Sequence, residues 1–368
     1  MLNSNPAKAF LQAEFDALCS AVELGYRMIE HDCEQSRLSR VQYPDQPVKW
    51  VGTFVFDHQK KFDVPHLVTK QARFNLQLSV FNFGVYSAHT DRHFFHLWSE
   101  WDGACGSDET ITCLLAVIVD QSDSLDGQGI LNLICDSCGG HNKNQFLLAF
   151  AAELSRPGSA FYRFAEVNIK FPEVGHTFLP NDRIFGVISQ HVKKHKFYEP
   201  RELLPLIQQS FDHRHPQHEV WMNRLDFKNY GADMARTYTI LGAAVLGGDP
   251  HDGGAEKLLL RDDAKWMSFG RHRQWSHPGE MWVRSCLQAS ATWKKYRICL
   301  SAPADMPDLI MKYHQQLTLD AAKMQSLWEL SASIPVQYRP LYPTPDQGDL
   351  AVVRDAVASK KAAKCRPK

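Results

Sequence analysis

The stretch LNLICDSCGGHNKNQFLLAF, residues 131–150, constrains the fold more than any other part of the sequence. An apolar run typical of a strand reaches a single acid, Asp136, before a turn of small residues and an apolar helix. A carboxylate at the end of a buried strand is costly unless it is paired. The stretch therefore predicts a strand–turn–helix unit of an α/β protein in which Asp136 has a partner.

The segments around this unit predict a layered α/β arrangement. A helix is predicted over residues 7–40, and three strand-like runs follow over 48–57, 72–88 and 91–101. Helix, strand, helix, strand and helix then alternate over residues 107–122, 129–136, 142–156, 163–174 and 181–197. Such an order favours a mixed sheet flanked by helices. No G-x-G-x-x-G or G-x-x-x-x-G-K-[ST] loop is present, so a nucleotide-phosphate cradle is not supported.

Past residue 200 the pattern changes to that of an α+β extension. Helices are predicted over 203–211 and 220–238, with one or two more within 306–335. A loop is predicted over 247–254, and strands over 264–275, 280–287 and 293–300. The sequence thus predicts four segments. They are an N-terminal helical segment (1–45), a catalytic-type α/β domain (46–200), the extension (201–345) and a basic flexible tail (346–368).

Composition excludes some classes of protein and leaves others open. The chain is 44% hydrophobic and 22% charged, as is typical of globular proteins. Its formal net charge is zero, so no overall attraction to nucleic acid or to a membrane is expected. No apolar run approaches the roughly 20 residues of a membrane-spanning helix. Nine scattered cysteines favour reduced thiols and an intracellular location.

Three aspartates occupy equivalent positions in the α/β pattern. Asp57 is expected to end the first strand, Asp136 to end the fourth, and Asp182 to open the helix after the fifth. If the first and fourth strands are neighbours, Asp57 and Asp136 meet at one edge of the sheet, within reach of Asp182. Three carboxylates in one small site require cations, and Mg²⁺ prefers such oxygen ligands. Each acid taken singly also fits an ordinary turn or helix cap.

Zinc binding is the alternative hypothesis for the same segment. Cys135 and Cys138 form one C-x-x-C next to His141. A structural zinc site normally needs a second matching pair, and the chain has no other C-x-x-C. Cys135 also falls in the apolar strand, where cysteine acts as a small hydrophobe. Zinc is therefore the weaker hypothesis.

Several segments in a fixed order carry a resemblance to a known family. They are FDHQKKFDVPHL, LSVFNFGVY, WSEWDGACGSDETITCLL, CDSCGGHNKN, GHTFLPNDRIFGVI and KMQSLWELSASIPVQYRPLYP. Together they resemble an uncharacterised eukaryotic family of transposase-like proteins, over about residues 46–345. The G-x-N-K-N piece at 140–144 and the G-H-T-x4-D piece at 175–182 are the most specific.

The resemblance implies a ribonuclease-H-like integrase fold with a D-D-D/E centre. Its metal ligands would be Asp57, Asp136 and Asp182, and they would bind two Mg²⁺ or Mn²⁺ ions. Four residues are implied as substrate contacts: Asn142, Lys143, His176 and His141. Asn142 and Lys143 match the family's amide–lysine pair, and His176 matches the histidine of G-H-T. His141 stands where the family usually has glutamine.

The implied activity is metal-dependent cleavage of DNA phosphodiesters, or strand transfer, in which the two ions serve the attacking and the leaving oxygen. DNA is the expected partner, with modest affinity, in a nuclear protein that can form homo-oligomers. The basic runs VKKHK (192–196) and RHRQW (271–275) could contact the DNA backbone or form solvated faces. The alternative is a catalytically inactive, domesticated transposase-like protein that acts as a DNA- or protein-binding scaffold.

Overall fold

The structure is a computed structural model, and it describes most of the chain. The described residues are 6–67, 75–122, 125–173, 175, 179–211, 217–223, 227–232, 245–248, 257–259, 264–270, 280–297 and 309–342. Three features named from the sequence lie outside them: His176, the basic run 271–275 and the tail 346–368.

The described strands form one mixed sheet. In chain order they are β1 (Val51–Val64), β2 (Leu78–Ser87), β3 (Arg92–Ser99), β4 (Ile130–Ile134), β5 (Glu166–Lys170), β6 (Gln217–Met222), β7 (Val245–Gly248), β8 (Lys257–Leu259), β9 (Trp266–Phe269), β10 (Glu280–Arg284) and β11 (Lys294–Arg297). Their order across the sheet is β6-β3-β2-β1-β4-β5-β9-β10-β11-β7-β8. Strands β1 to β3 are antiparallel neighbours, and β4 and β5 run parallel to β1.

Helices cover both faces of the central strands. They are α1 (Pro6–Gln42), α2 (Ser107–Ser122), α3 (Gln145–Ser155), α4 (Pro180–Val192), α5 (Leu203–Gln209) and α6 (Ala321–Ser331). Helices α2 and α3 pack against Phe54 and Phe56 of β1 in the largest apolar cluster. The C-terminal half of α1 packs on the other face, where Met28 and Ile29 meet Val55. The fold is therefore α/β, as the sequence predicts.

The elements of the α/β unit were predicted well, because each carries a local signal. Helix α2 has the predicted bounds, 107–122, and the first five strands occur in the predicted order. Some predicted boundaries there were wrong in detail, and the helix predicted over 181–197, for example, ends at Val192. Strand β1 does not end at Asp57 but continues to Val64, because it pairs with β2 over that length. Helix α3 begins at Gln145 because the Asn144 side chain caps it.

The C-terminal third was predicted less well. The predicted helix over 220–238 was wrong at its start, since Gln217–Met222 is strand β6, which pairs in parallel with β3. Strand β7 lies partly in the predicted loop. Of the one or two helices predicted within 306–335, the described residues contain one, α6. Pairing between distant segments decides these elements, and it leaves little local trace. The predicted strands that correspond to β9, β10 and β11 were confirmed. No helix in the described part of the chain is long and apolar enough to span a membrane.

One buried amide holds the start of α4 to the central strands. The Asn181 side chain is fully buried, and its Nδ2 donates to the carbonyl oxygens of Val55 at 3.0 Å and Gly84 at 2.8 Å. These bonds bridge β1 and β2. Asn181 therefore fixes where the first turn of α4, and with it Asp182, meets β1.

We predict that Asn181→Ala lowers the free energy of unfolding by about 1–3 kcal/mol, because two buried carbonyl oxygens lose a donor. Denaturant unfolding measures the change. Arg183→Ala, an exposed change in the same turn, is the matched control and should stay within about 0.5 kcal/mol of wild type. Equal effects of the two variants would contradict an anchoring role for Asn181.

Candidate functional site

The register between β1 and β4 brings two of the predicted acids together. Val55 lies directly opposite Ile134 in this parallel pair, and both side chains pack on the α1 face. Asp57 and Asp136 each follow two residues later, so the alternation of a strand directs both to that same face. Neighbouring strands lie about 4.8 Å apart. The pairing with β4 stops at Val55, so the two carboxylates lie where the paired strands separate.

Asp182 lies near this edge, in the first turn of α4, and its charge acts on Asp57, but the carboxylate oxygens of Asp57, Asp136 and Asp182 do not all lie within 4.8 Å of one another. The Asp182 side chain is exposed, and its Oδ2 accepts a hydrogen bond of 2.7 Å from the backbone N–H of Leu179. This is the ordinary capping interaction of an acid in the first turn. Asp182 therefore caps the start of α4, and its charge also acts on Asp57.

The electrostatics of Asp57 reflect this convergence. Burial, then the negative charge of Asp136, and more weakly that of Asp182, raise the pKa of Asp57 from 3.8 to about 7. A hydrogen bond of 2.7 Å from the His58 backbone N–H to Oδ1 opposes the shift. Near neutral pH the site therefore holds carboxylates that repel one another and that a bound cation would stabilise.

The loop after β4 orients Asp136. Asn142 is buried, and its Nδ2 donates to Asp136 Oδ1 at 2.5 Å, while the Cys138 backbone N–H donates to the same oxygen at 3.2 Å. Among the described residues, no hydrogen bond reaches Oδ2. One carboxylate oxygen is thus held by the protein, and the other is left for a ligand from outside.

The three residues of the N-K-N piece have different structural roles. Asn142 holds Asp136, and Asn144 caps α3 by accepting from the backbone N–H groups of Phe146 and Leu147 at 3.0 and 3.1 Å. Lys143 is buried, with Nζ 5.1 Å from the centre of the Phe171 ring. A solvated lysine, the ordinary alternative for this position, is therefore not what the structure contains.

The predicted zinc set is not assembled. Cys135 is fully buried within the core that α2 and α3 cover, and burial raises its thiol pKa well above the ordinary value. Cys138 instead lies near His141, with its sulfur 3.6 Å from Nδ1. The other nitrogen of His141, Nε2, is 3.5 Å from the sulfur of Cys105. No motif or spacing in the sequence connects Cys105, from the loop before α2, with His141.

Comparison with known proteins finds a match to one family, and that family has no known activity. A family described as a domain of unknown function, DUF7869, matches residues 70–239. That range includes Asp136 and Asp182, and it begins after Asp57. No curated protein and no solved structure matches the chain.

The repulsion at Asp57 gives a prediction for the metal-free protein. In a chelating buffer at about pH 8, Asp57→Asn should raise the free energy of unfolding by about 1–3 kcal/mol, because it removes a buried charge and can keep the bond to His58 N–H. The folded-state pKa is raised, so the cost of ionising wild-type Asp57 grows as pH rises from about 4 to about 7. The advantage of the variant should therefore fade as pH falls through this window.

Thermal and denaturant unfolding across this pH range measure the effect. Asp63→Asn removes an exposed charge from the same strand and should change stability by less than about 0.5 kcal/mol. If Asp57→Asn destabilises the chelated protein at the upper pH, the three carboxylates do not repel one another as described.

Proposed function

We propose that the protein cleaves or transfers phosphodiester bonds of DNA with the help of divalent cations held by Asp57, Asp136 and Asp182. The observation that carries the proposal is the in-register pairing of β1 with β4, which directs Asp57 and Asp136 to one face at the end of their shared ladder. Half-buried, mutually repelling carboxylates such as those of Asp57 and Asp136 are suitable ligands for Mg²⁺ or Mn²⁺, and Oδ2 of Asp136 accepts no hydrogen bond from the described residues.

The arrangement of the central strands supports a ribonuclease-H-like fold. Three antiparallel strands, β1 to β3, are followed by β4 and β5, which run parallel to β1 and come after helices α2 and α3. This is compatible with the fold that the resemblance to transposase-like proteins implies. We propose the fold on that basis, with the carboxylates at the edge where β1 and β4 separate.

The residues have separate roles in this proposal. Asp57 and Asp136 would bind the ions jointly, and Asp182 would complete one site from α4. Asn142 keeps Asp136 oriented, so that its Oδ2 faces the ligand and not the loop. Bound Mg²⁺ would supply Lewis-acid stabilisation of the attacking and leaving oxygens.

One positive charge near this end of β4 is that of Lys143. Its charge lowers the pKa of Cys135, the residue before Asp136, so it acts on this end of β4. We infer that Lys143 favours the approach of a phosphate group. The exposed lysines Lys193, Lys194 and Lys196 lie past the far end of α4, which is about 15 Å along the helix from Asp182. They can therefore contact DNA only at phosphates other than the reacting one.

The second candidate function is a scaffold that binds DNA or protein without catalysis. The hydrogen bond from Leu179 to Asp182 favours it, because an ordinary helix cap needs no metal. The scaffold and the enzyme differ in their response to cations. The enzyme should be stabilised by Mg²⁺ through its carboxylates, and the scaffold should not.

We predict that the purified chain nicks supercoiled DNA in the presence of Mg²⁺ or Mn²⁺ and that Asp136→Asn reduces the rate to the background of the buffer. The substitution conserves shape and can keep the bond to Asn142, but it removes the ligand charge. Conversion of supercoiled to open-circular plasmid measures the rate. Asp63→Asn, which changes an exposed acid of β1, should retain wild-type activity.

A binding measurement separates the two functions where nicking is slow. Mg²⁺ at 100 times its dissociation constant should stabilise the wild-type protein by about 2.7 kcal/mol. Asp57→Asn should be more stable than wild type in chelator and should gain less from Mg²⁺. An absence of both nicking and stabilisation by Mg²⁺ in the wild-type protein would reject the enzyme in favour of the scaffold.

A further inference from the structure

A second cluster of potential metal ligands lies on the opposite face of β1 from Asp57. His58 follows Asp57 on the strand, so its side chain turns toward α2 and α3. There it meets Cys105, from the loop before α2, and His141, from the loop after β4. The three side chains are half-buried, and one potential ligand atom from each lies within 4.8 Å of the other two.

We propose that His58, Cys105 and His141 form a zinc site. Two imidazoles and a thiolate are the ligand types that Zn²⁺ prefers, whereas Mg²⁺ prefers oxygen. The three residues come from three separate segments of the chain, and that convergence is what the proposal depends on. It stands independently of the proposed activity on DNA.

The distances suit a tetrahedral ion. With Zn–N of about 2.05 Å and Zn–S of about 2.3 Å, a tetrahedral site separates a nitrogen and a sulfur ligand by about 3.6 Å. The Cys105 sulfur is 3.5 Å from His141 Nε2 and 3.9 Å from His58 Nδ1. The two imidazole rings lie with their centres 4.6 Å apart. Small side-chain adjustments would therefore bring all three ligand atoms to bonding distance.

The hydroxyl group of Thr110 already orients the His58 ring for zinc binding. The Thr110 hydroxyl donates to the Gly106 carbonyl oxygen at 2.9 Å, so its oxygen is free to accept from His58 Nε2, also at 2.9 Å. The proton of the imidazole is then on Nε2, and the lone pair of Nδ1 points toward Cys105. Metal-binding histidines are usually oriented by such a bond from the other ring nitrogen.

His141 needs one change to bind the ion. Its Nε2 lies 3.1 Å from the Cys105 carbonyl oxygen, an acceptor, so without metal the proton is on Nε2. Zinc binding at Nε2 moves the proton to Nδ1, which can donate to the Cys138 sulfur 3.6 Å away. Cys138 thus orients His141 and is not itself a ligand. Three protein ligands leave the fourth position of the ion for water.

Metal content and cobalt spectra of the full-length protein test the proposal. The purified chain should retain about one zinc ion after dialysis. Protein freed of metal with a chelator and then titrated with Co²⁺ should show a sulfur-to-cobalt charge-transfer band in the near ultraviolet. It should also show the visible absorption bands of a tetrahedral cobalt site. Cys105→Ser should lose the charge-transfer band. His58→Gln should bind Zn²⁺ at least about 100-fold more weakly than wild type, because the loss of a ligand costs more affinity than the loss of a residue that only orients one.

Two controls make the result specific. Cys19→Ser, which changes an exposed cysteine on α1, should keep the band and the zinc. Asp136→Asn should also keep both, so that loss of nicking and loss of zinc can be told apart. A charge-transfer band that persists in Cys105→Ser, or disappears in Asp136→Asn, would overturn the assignment.

A measurement on the wild-type chain covers the case in which the variants fail to fold. Alkylation of Cys105 by iodoacetamide, followed by peptide mass spectrometry, should slow at least about tenfold on adding Zn²⁺, because the bound thiolate is no longer available. Cys19 supplies the internal reference and should react at an unchanged rate. Equal alkylation of Cys105 with and without Zn²⁺ would reject the site.

Discussion

The pairing of β1 with β4 is the constraint on which both candidate sites depend. Five residue pairs, from Val51 opposite Ile130 to Val55 opposite Ile134, set the register. The side chains of a strand alternate between faces, so a slip of one residue would move every one of them to the other face. In the observed register, Asp57 and Asp136 share the α1 face, while His58 turns toward α2 and α3. Carboxylates and imidazoles are thereby sorted onto opposite faces.

The apolar packing around β1 explains why the register is secure. Phe54 and Phe56 are fully buried on one face, and Val55 is fully buried on the other. A slip would expose aromatic surface and bury polar groups, each at a cost of several kcal/mol. The strand can therefore tolerate the unfavourable charge of Asp57 at its open end. Backbone N–H groups of His58, Cys138 and Leu179 each donate to one of the three acids and offset part of that repulsion.

Most of the central fold could be predicted because its signals are local. The cap at Asn144, the acids in the first turn of α2 and the apolar runs of β1 to β5 are all visible within a few residues. Strand β6 could not be predicted, because its place beside β3 depends on a partner more than 100 residues away in the chain. The sequence predicted the meeting of Asp57 with Asp136 only on the condition that the first and fourth strands are neighbours, and β1 does pair with β4. The contact between His58, Cys105 and His141 was not predicted, since Cys105 lies in a loop with no periodic pattern.

The loop from Asp136 to Asn142 links the two clusters physically. It carries one predicted ligand of each, Asp136 and His141, and Asn142 closes it back onto Asp136. Backbone N–H groups of Asn142 and Lys143 both donate to the Cys138 carbonyl oxygen at 2.8 Å, so the loop is a compact turn. The positions of His141 and Asp136 are therefore both set by this one turn. The two clusters thus share one structural element, but their ligand types differ: oxygen from Asp136 suits Mg²⁺, whereas the imidazole of His141 suits Zn²⁺.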